Sequence, residues 1–175
     1  MSFKYVSKYG FRQIGQIVVL RALYLFFSLI VIPTYTYAQN VRVSDMDAAN
    51  FGVYSGAGNL VRNDDTCVYR DDGNGRYRVT ATDDSTITPG EFHLENPTRT
   101  VEILYQVKWR STTADGGATL TWGVPRNRGR ASTTSPDCSV GGLTSNMRIL
   151  IRTADLQAAP AGSYSAEVSF LIEPR

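Results

Sequence analysis

The far end of the chain constrains its fold most. After Pro160 and Gly162, which punctuate a turn, apolar side chains alternate through Tyr164, Ala166, Val168, Phe170 and Ile172, with Ser163, Ser165, Glu167, Ser169 and Glu173 between them. A period of two puts one face in a core and the other in water, the pattern of an antiparallel strand. Leu171 is out of phase, and Pro174, with no N–H to donate, is expected to stop the ladder. Little sequence remains after this strand to cover it. The strand-pairing edge at Tyr164, Ala166, Val168, Phe170 and Ile172 is therefore the first place to look for function.

Upstream, no helical period persists for three turns after Ala38, and short β-rich runs alternate with turn clusters. Phe51–Tyr54 reads as a strand before the glycine-rich Ser55–Asn59. Cys67–Arg70 and Arg76–Thr82 flank Asp71-Asp72-Gly73-Asn74-Gly75, the signal of a hairpin. Phe92–Leu94, Val101–Arg110, Ala118–Val124 and Met147–Arg152 read as further strands, and 155–159 as one helical turn. Pro125–Asn146 is polar and reads as a long loop. About seven strands with turns at this spacing predict an all-β antiparallel sandwich. Tyr164 is either a tyrosine corner, its phenol tied to backbone upstream, or a plain core residue.

The start of the chain differs from the rest. Residues 1–21 carry Lys4, Lys8, Arg12 and Arg21 and no acid, Ala22–Ile32 is apolar but for Ser28, and Thr36 and Ala38 are small. This is the anatomy of a secretory signal peptide cut between Ala38 and Gln39. The competing reading, a transmembrane anchor, needs about 20 apolar residues, and Arg21 interrupts the run. Without residues 1–38, 14 basic residues face 16 acidic ones, so nothing in the charge suggests nucleic acid or an anionic membrane. Residues 39–175 then form one domain of ordinary size. Its two cysteines, Cys67 and Cys138, are either free thiols or, as export favours, a disulfide.

Catalytic chemistry is sparse. His93 is the only histidine and falls in a short strand pattern, where a surface or edge position is expected, so a general base or nucleophile–histidine pair has little to build on. No cofactor, metal or small-molecule substrate is expected, and the chain is not read as an enzyme. Asn63-Asp64-Asp65 and Asp71–Asn74 are oxygen-rich in a way that suits calcium, but tight turns use the same residues. Arg126, Arg128 and Arg130 either clasp an anionic ligand or form a solvated loop. Trp109 and Trp122 either stack on a sugar or pack in the core.

Asn50-Phe51-Gly52-Val53-Tyr54, Cys67, Tyr77-Arg78-Val79-Thr80, Ala154-Asp155-Leu156 and Ala159–Tyr164 with the last strand together resemble the spore coat protein U domain family. That family includes subunits of archaic chaperone–usher pili. The resemblance implies an incomplete immunoglobulin-like, pilin-type sandwich that lacks a last strand. A periplasmic chaperone would hold it, an outer-membrane usher would export it, and another pilus subunit would complete it with a donor strand at the cell surface. Many members carry a cysteine at the start of the domain. Val41–Met46 has none, which leaves Cys138 to pair with Cys67. Only Gln39–Asn50 precede Phe51, a short donor segment that would suit a tip or minor subunit. The other reading is a self-contained secreted module binding carbohydrate or protein through Pro125–Asn146.

Overall fold

A computed structural model describes residues 2–8 and 40–175. In chain order the strands are β1 (Ser2–Lys8), β2 (Val41–Ser44), β3 (Leu60–Arg70), β4 (Tyr77–Asp83), β5 (His93–Glu95), β6 (Glu102–Leu104), β7 (Gln106–Arg110), β8 (Ala118–Thr119), β9 (Arg126–Arg128), β10 (Ser145–Ile151) and β11 (Ser165–Pro174), with one helix, α1 (Thr153–Ala158), before β11. One sheet has the order β6-β5-β11-β4-β9 with β1 added on β11, and the other β2-β3-β10-β7-β8. The architecture is the all-β, pilin-like sandwich expected from the sequence.

The alternation of the last strand closes the core. Tyr164, Ala166, Val168, Phe170 and Ile172 are buried, whereas Leu171 lies on the wet face. Phe170 meets Trp109 of β7 across the two sheets, ring centroids 5.5 Å apart. Burying a side chain of this size contributes about 1.5–3 kcal/mol. The Trp109 indole N–H donates to the Tyr77 hydroxyl at 3.0 Å, and that hydroxyl shares a 2.8 Å hydrogen bond with Ser145. The polar ends of the large aromatics are thereby satisfied inside the core.

Several elements differ from the sequence reading. Phe51–Tyr54 is a loop, because Gly52 takes φ +63° and donates its N–H to the Asn50 side chain at 2.9 Å. Asn63-Asp64-Asp65 is strand rather than turn, paired in β3 with Arg148, Met147 and Asn146 of β10. Asp71–Gly75 does not close a hairpin, since β3 and β4 belong to different sheets. These five residues arch between the layers with Gly73 and Gly75 at positive φ. The buried Arg70 guanidinium holds the arch by donating to the Arg76 carbonyl and to Asp72.

Val101–Arg110 splits at Tyr105 into β6 and β7, which lie in opposite sheets. Its alternation survives the crossing because Ile103, Tyr105, Val107 and Trp109 all stay buried. Of Ala118–Val124, Ala118–Thr119 forms the strand β8, entered by Gly117 at φ +105°, where a Cβ would sit 2.5 Å from the Trp109 carbonyl oxygen, and beyond it Leu120 and Gly123 donate their N–H groups to the Val107 and Ala81 carbonyls, each at 2.8 Å. The supposed loop Pro125–Asn146 contains β9, and Ser132 bridges to Tyr69. The strand expected at Met147–Arg152 runs from Ser145 to Ile151. His93 is buried rather than at the surface. Pro174 does not stop the ladder: it partners Tyr77, and the Arg175 N–H donates to the Arg76 carbonyl at 3.2 Å. The strands beyond the expected seven are mostly pieces of two to four residues.

Candidate functional site

The candidate site is the edge of β11 that faces away from β4. Val168–Pro174 pair antiparallel with Asp83–Tyr77 of β4. Toward the start of β11, Glu167 exchanges hydrogen bonds with Asp84, the Glu167 N–H donating to the Asp84 carboxylate at 2.8 Å and the Asp84 N–H to the Glu167 carbonyl at 3.1 Å. Ser165 partners Glu95 of β5 and also Ser2 of β1. A strand residue has only two backbone edges, so β5 must continue the line of β4, leaving the opposite edge to β1.

On that opposite edge the partner is β1, running parallel from Ser2 beside Ser165 to Lys8 beside Leu171. β1 lies inside the segment read as a leader. Residues 9–39, including the expected cut between Ala38 and Gln39, lie outside the described residues. The sequence reading missed β1 because its lysines were assigned to a leader. The signal that could have found it is the β-prone run Phe3-Lys4-Tyr5-Val6, in which Phe3 and Tyr5 are in register with Ala166 and Val168.

Two carboxylates fix the line on the closed edge. Asp83 accepts from the His93 N–H at 2.8 Å, the Trp122 indole at 3.0 Å and the Tyr105 hydroxyl at 3.1 Å. Burial pushes its carboxyl above the usual range, with these hydrogen bonds acting against the rise. Glu95 shows the reverse outcome. Burial pushes it up, but the N–H groups of Thr86 and Ile87 and the hydroxyls of Ser85 and Thr86 all donate to it and together hold it below its ordinary value. Trp122 is thus tied into the fold through Asp83, and Trp109 is core.

Across the sandwich, the first half of β3 is incompletely covered. Cross-strand partners share a face, and Arg62 and Asp64 pair with the buried Ile149 and Met147. Yet Arg62 is exposed and Asp64 only half-buried. Burial pushes the Asp64 carboxyl up, opposed by the hydrogen bond from the Asp47 N–H at 2.9 Å. A sandwich completed along this side would not leave an inward-facing arginine in water.

The remaining sequence candidates lie elsewhere. Cys67 and Cys138 are disulfide-bonded, tying β3 to the loop after β9. The Tyr164 hydroxyl donates to the Pro160 carbonyl at 2.8 Å, so it is a tyrosine corner at the entrance of β11. Arg126 and Arg128 belong to β9, at the far edge of the same sheet, and Arg130 follows in the loop. Burial lowers the Arg128 pKa, and the guanidinium donates one bond, to the Asn127 carbonyl at 3.0 Å. The three arginines therefore do not join the β11 edge.

No family model matches the chain, and no curated protein does. Among solved structures, a chain of the chaperone–tip adhesin complex of CFA/I fimbriae biogenesis superposes with a TM-score of 0.54 at 17% identity, covering 78% of this chain and 42% of that one. CfaE, the adhesive subunit of the CFA/I fimbria of enterotoxigenic Escherichia coli, aligns at a TM-score of 0.39 and 15% identity, over 70% of this chain and 44% of its own. That second superposition is too loose to support an argument. The first shows a shared fold with a fimbrial assembly protein, of which this chain spans less than half the length.

Proposed function

We propose that this chain is an exported, non-enzymatic subunit of a cell-surface pilus, of the spore coat protein U type, completed by a strand from a partner. Residues 1–38 leave as a signal peptide. A periplasmic chaperone then lends a strand to the β11 edge, an outer-membrane usher exports the subunit, and another subunit's strand replaces the chaperone's. The domain's own leading segment is short, which suits a tip or minor position. One observation carries this reading: the β11 edge opposite β4 is paired by a segment that export would remove. An edge stripped of that partner presents unpaired N–H and C=O groups beside an apolar face, the chemistry that captures an added strand.

The test uses the protein recovered from the periplasm, with and without a synthetic peptide of the β1 sequence. A ligand specific to the native state stabilises by mass action, about 2.7 kcal/mol at a hundredfold excess over Kd. The melting temperature should therefore rise with peptide concentration and saturate. A chaperone should also co-purify with the untreated protein. If the protein alone is monomeric and cooperatively folded and no peptide shifts its melting, the reading fails and a self-contained binding module replaces it.

A further inference from the structure

The outer face of the sheet β2-β3-β10-β7-β8 carries positive charge that the fold does not use. Arg148 lies between Met147 and Ile149 in β10, and Lys108 between Val107 and Trp109 in β7. Those neighbours are buried, so both cations turn outward. They are direct cross-strand partners, with Asn63 of β3 beyond Arg148 and Thr119 of β8 beyond Lys108. Opposed side chains in such a ladder sit about 5 Å apart at Cβ, where two like charges destabilise the pair. Arg110 stands two residues along β7 on the same face, about 7 Å from Lys108. Among the described residues, ion pairs form at Arg70, His93 and Arg99, and none involves these three cations. Asp65, in the row of Asn146 and Arg110, accepts instead from the Asn146 amide at 2.8 Å.

The same face holds polar atoms without partners. Arg148 Nε, Asn63 Oδ1 and Asn146 Oδ1 are shut off from water and have no hydrogen-bond partner among the described residues. Asn146 is the extreme case, only 1% exposed. Buried polar atoms are nearly always paired, so a group of unpaired ones beside uncompensated charge points to a ligand. A bare anion supplies acceptors alone and leaves the two amide oxygens unanswered. A ligand that joins negative charge to hydroxyl donors answers both. We infer that this face of β3, β10 and β7 binds a carboxylated polysaccharide, with a uronate carboxylate between Arg148 and Lys108 and sugar hydroxyls directed at Asn63 and Asn146. A guanidinium meets a carboxylate with two parallel N–H groups, and the lysine adds a point charge. Arg110 extends the charge along β7, which suits a polymer better than a single sugar. The site does not depend on strand addition, because β10 and β7 have strands on both sides and recognition there falls to side chains.

Binding of three polymers to the protein recovered from the cell envelope, in calcium-free buffer, tests this. Polygalacturonate carries carboxylates and hydroxyls, its methyl ester keeps the hydroxyls without the charge, and dextran sulfate carries charge as sulfate alone. Polygalacturonate should bind saturably, roughly tenfold more tightly than its ester, and more weakly as salt rises. Lys108→Gln and Arg148→Gln should each weaken it roughly fivefold, in the range of a single partly exposed charge contact. Arg148→Lys keeps the charge but loses the paired N–H groups, and should weaken it as well. Because Lys108→Gln relieves a like-charge contact, its melting temperature should not fall. Asn63→Ala should weaken polygalacturonate and leave any residual binding of dextran sulfate unchanged. Arg126→Gln and Arg130→Gln remove the same charge from exposed positions at the far edge of the other sheet and should leave the affinity unaltered. Equal binding of the ester, tighter binding of dextran sulfate, or equal losses in the Lys108 and Arg126 variants would overturn the inference. Failure of all three polymers to bind would overturn it too, and would leave strand addition standing.

Discussion

The two poles of the sandwich are built differently, although β3 and β11 both run from one to the other. At the pole where these strands end, the Cys67–Cys138 disulfide closes a sequence separation of 71 residues. Beside it the buried Arg70 donates to the Arg76 carbonyl and, at 3.0 Å, to the Arg175 carbonyl, and Ser132 exchanges backbone hydrogen bonds with Val68 and Arg70 at 2.7 and 2.8 Å. Asp137 accepts from Ser135 and Ser139, which holds its carboxyl well below the ordinary range and fixes the loop around Cys138. At the pole where the strands begin, the ties are noncovalent. Asn59 accepts from the Thr153 N–H at 2.9 Å, Gln157 donates to the Gly56 carbonyl at 3.2 Å, and Tyr164 is pinned to Pro160. The sandwich is therefore covalently stapled at one end and tied at the other by hydrogen bonds.

The strongest way to break this contrast is to remove the staple. Closing a loop of about 70 residues stabilises by at most about 4 kcal/mol in the chain-entropy model. The double substitution Cys67→Ser, Cys138→Ser should cost about 2–4 kcal/mol in denaturant unfolding. Hydrogen exchange should accelerate first at Val68, Arg70 and Ser132, ahead of the amides near Asn59 and Thr153. A loss below about 1 kcal/mol, or uniform acceleration, would mean that the two poles are equally secured.

A smaller effect comes from pH. Glu95 is buried beside the start of β11, and the folded chain holds it below its ordinary value of 4.5. Its ionised form therefore stabilises the fold. That contribution is complete above the ordinary value and drains away as the pH falls through the lowered one. Asp83, shifted upward, has the opposite sign: its contribution favours the fold at low pH and is lost as the pH rises through its raised value. Glu95→Gln removes the titration and weakens an acceptor of several donors, at a cost of about 1–3 kcal/mol at neutral pH. The stability gap between the two proteins should narrow as the pH drops from about 5 to 3. Parallel curves across that range would show that Glu95 does not couple the open pole to acid.

What the sequence reveals and what it hides follow the same physical line. The alternation in β11 and across Ile103–Trp109 reads directly, because burial on one face leaves a period of two in the residue types. Sheet membership does not read this way. Asp71–Gly75 has the chemistry of a hairpin turn, and only the tertiary partners of Arg70 make it an arch between layers. Asn63-Asp64-Asp65 looks like a turn because the inner face of β3 is uncovered there, so no burial selects apolar residues. β9 is likewise an edge strand whose ladder runs through the backbone and places little demand on side-chain type. The alternation of β11 marks it as a strand, whereas the cleft beside its start is assembled from a loop, α1 and β6, which no local pattern joins.

The smallest expected effect sharpens the contrast most locally. In Tyr164→Phe the ring stays in the core, and what is lost is a single hydrogen bond from the hydroxyl to the Pro160 carbonyl. A typical net contribution is about 0.5–1.5 kcal/mol, and the low end is expected here because Pro160 is partly exposed and water can replace the lost donor. The global cost will therefore be small. The corner nevertheless sets where β11 starts, and freeing it should speed exchange at Ala166 and Val168 while Ile172, near the stapled pole, is unchanged. Partner-strand affinity should also fall, since the chain must then reorder the entrance of β11 each time a strand binds. If exchange along β11 and affinity for the β1-sequence peptide both match the unsubstituted protein, the corner does not position the edge. The open pole would then owe its order to α1 and Asn59 alone.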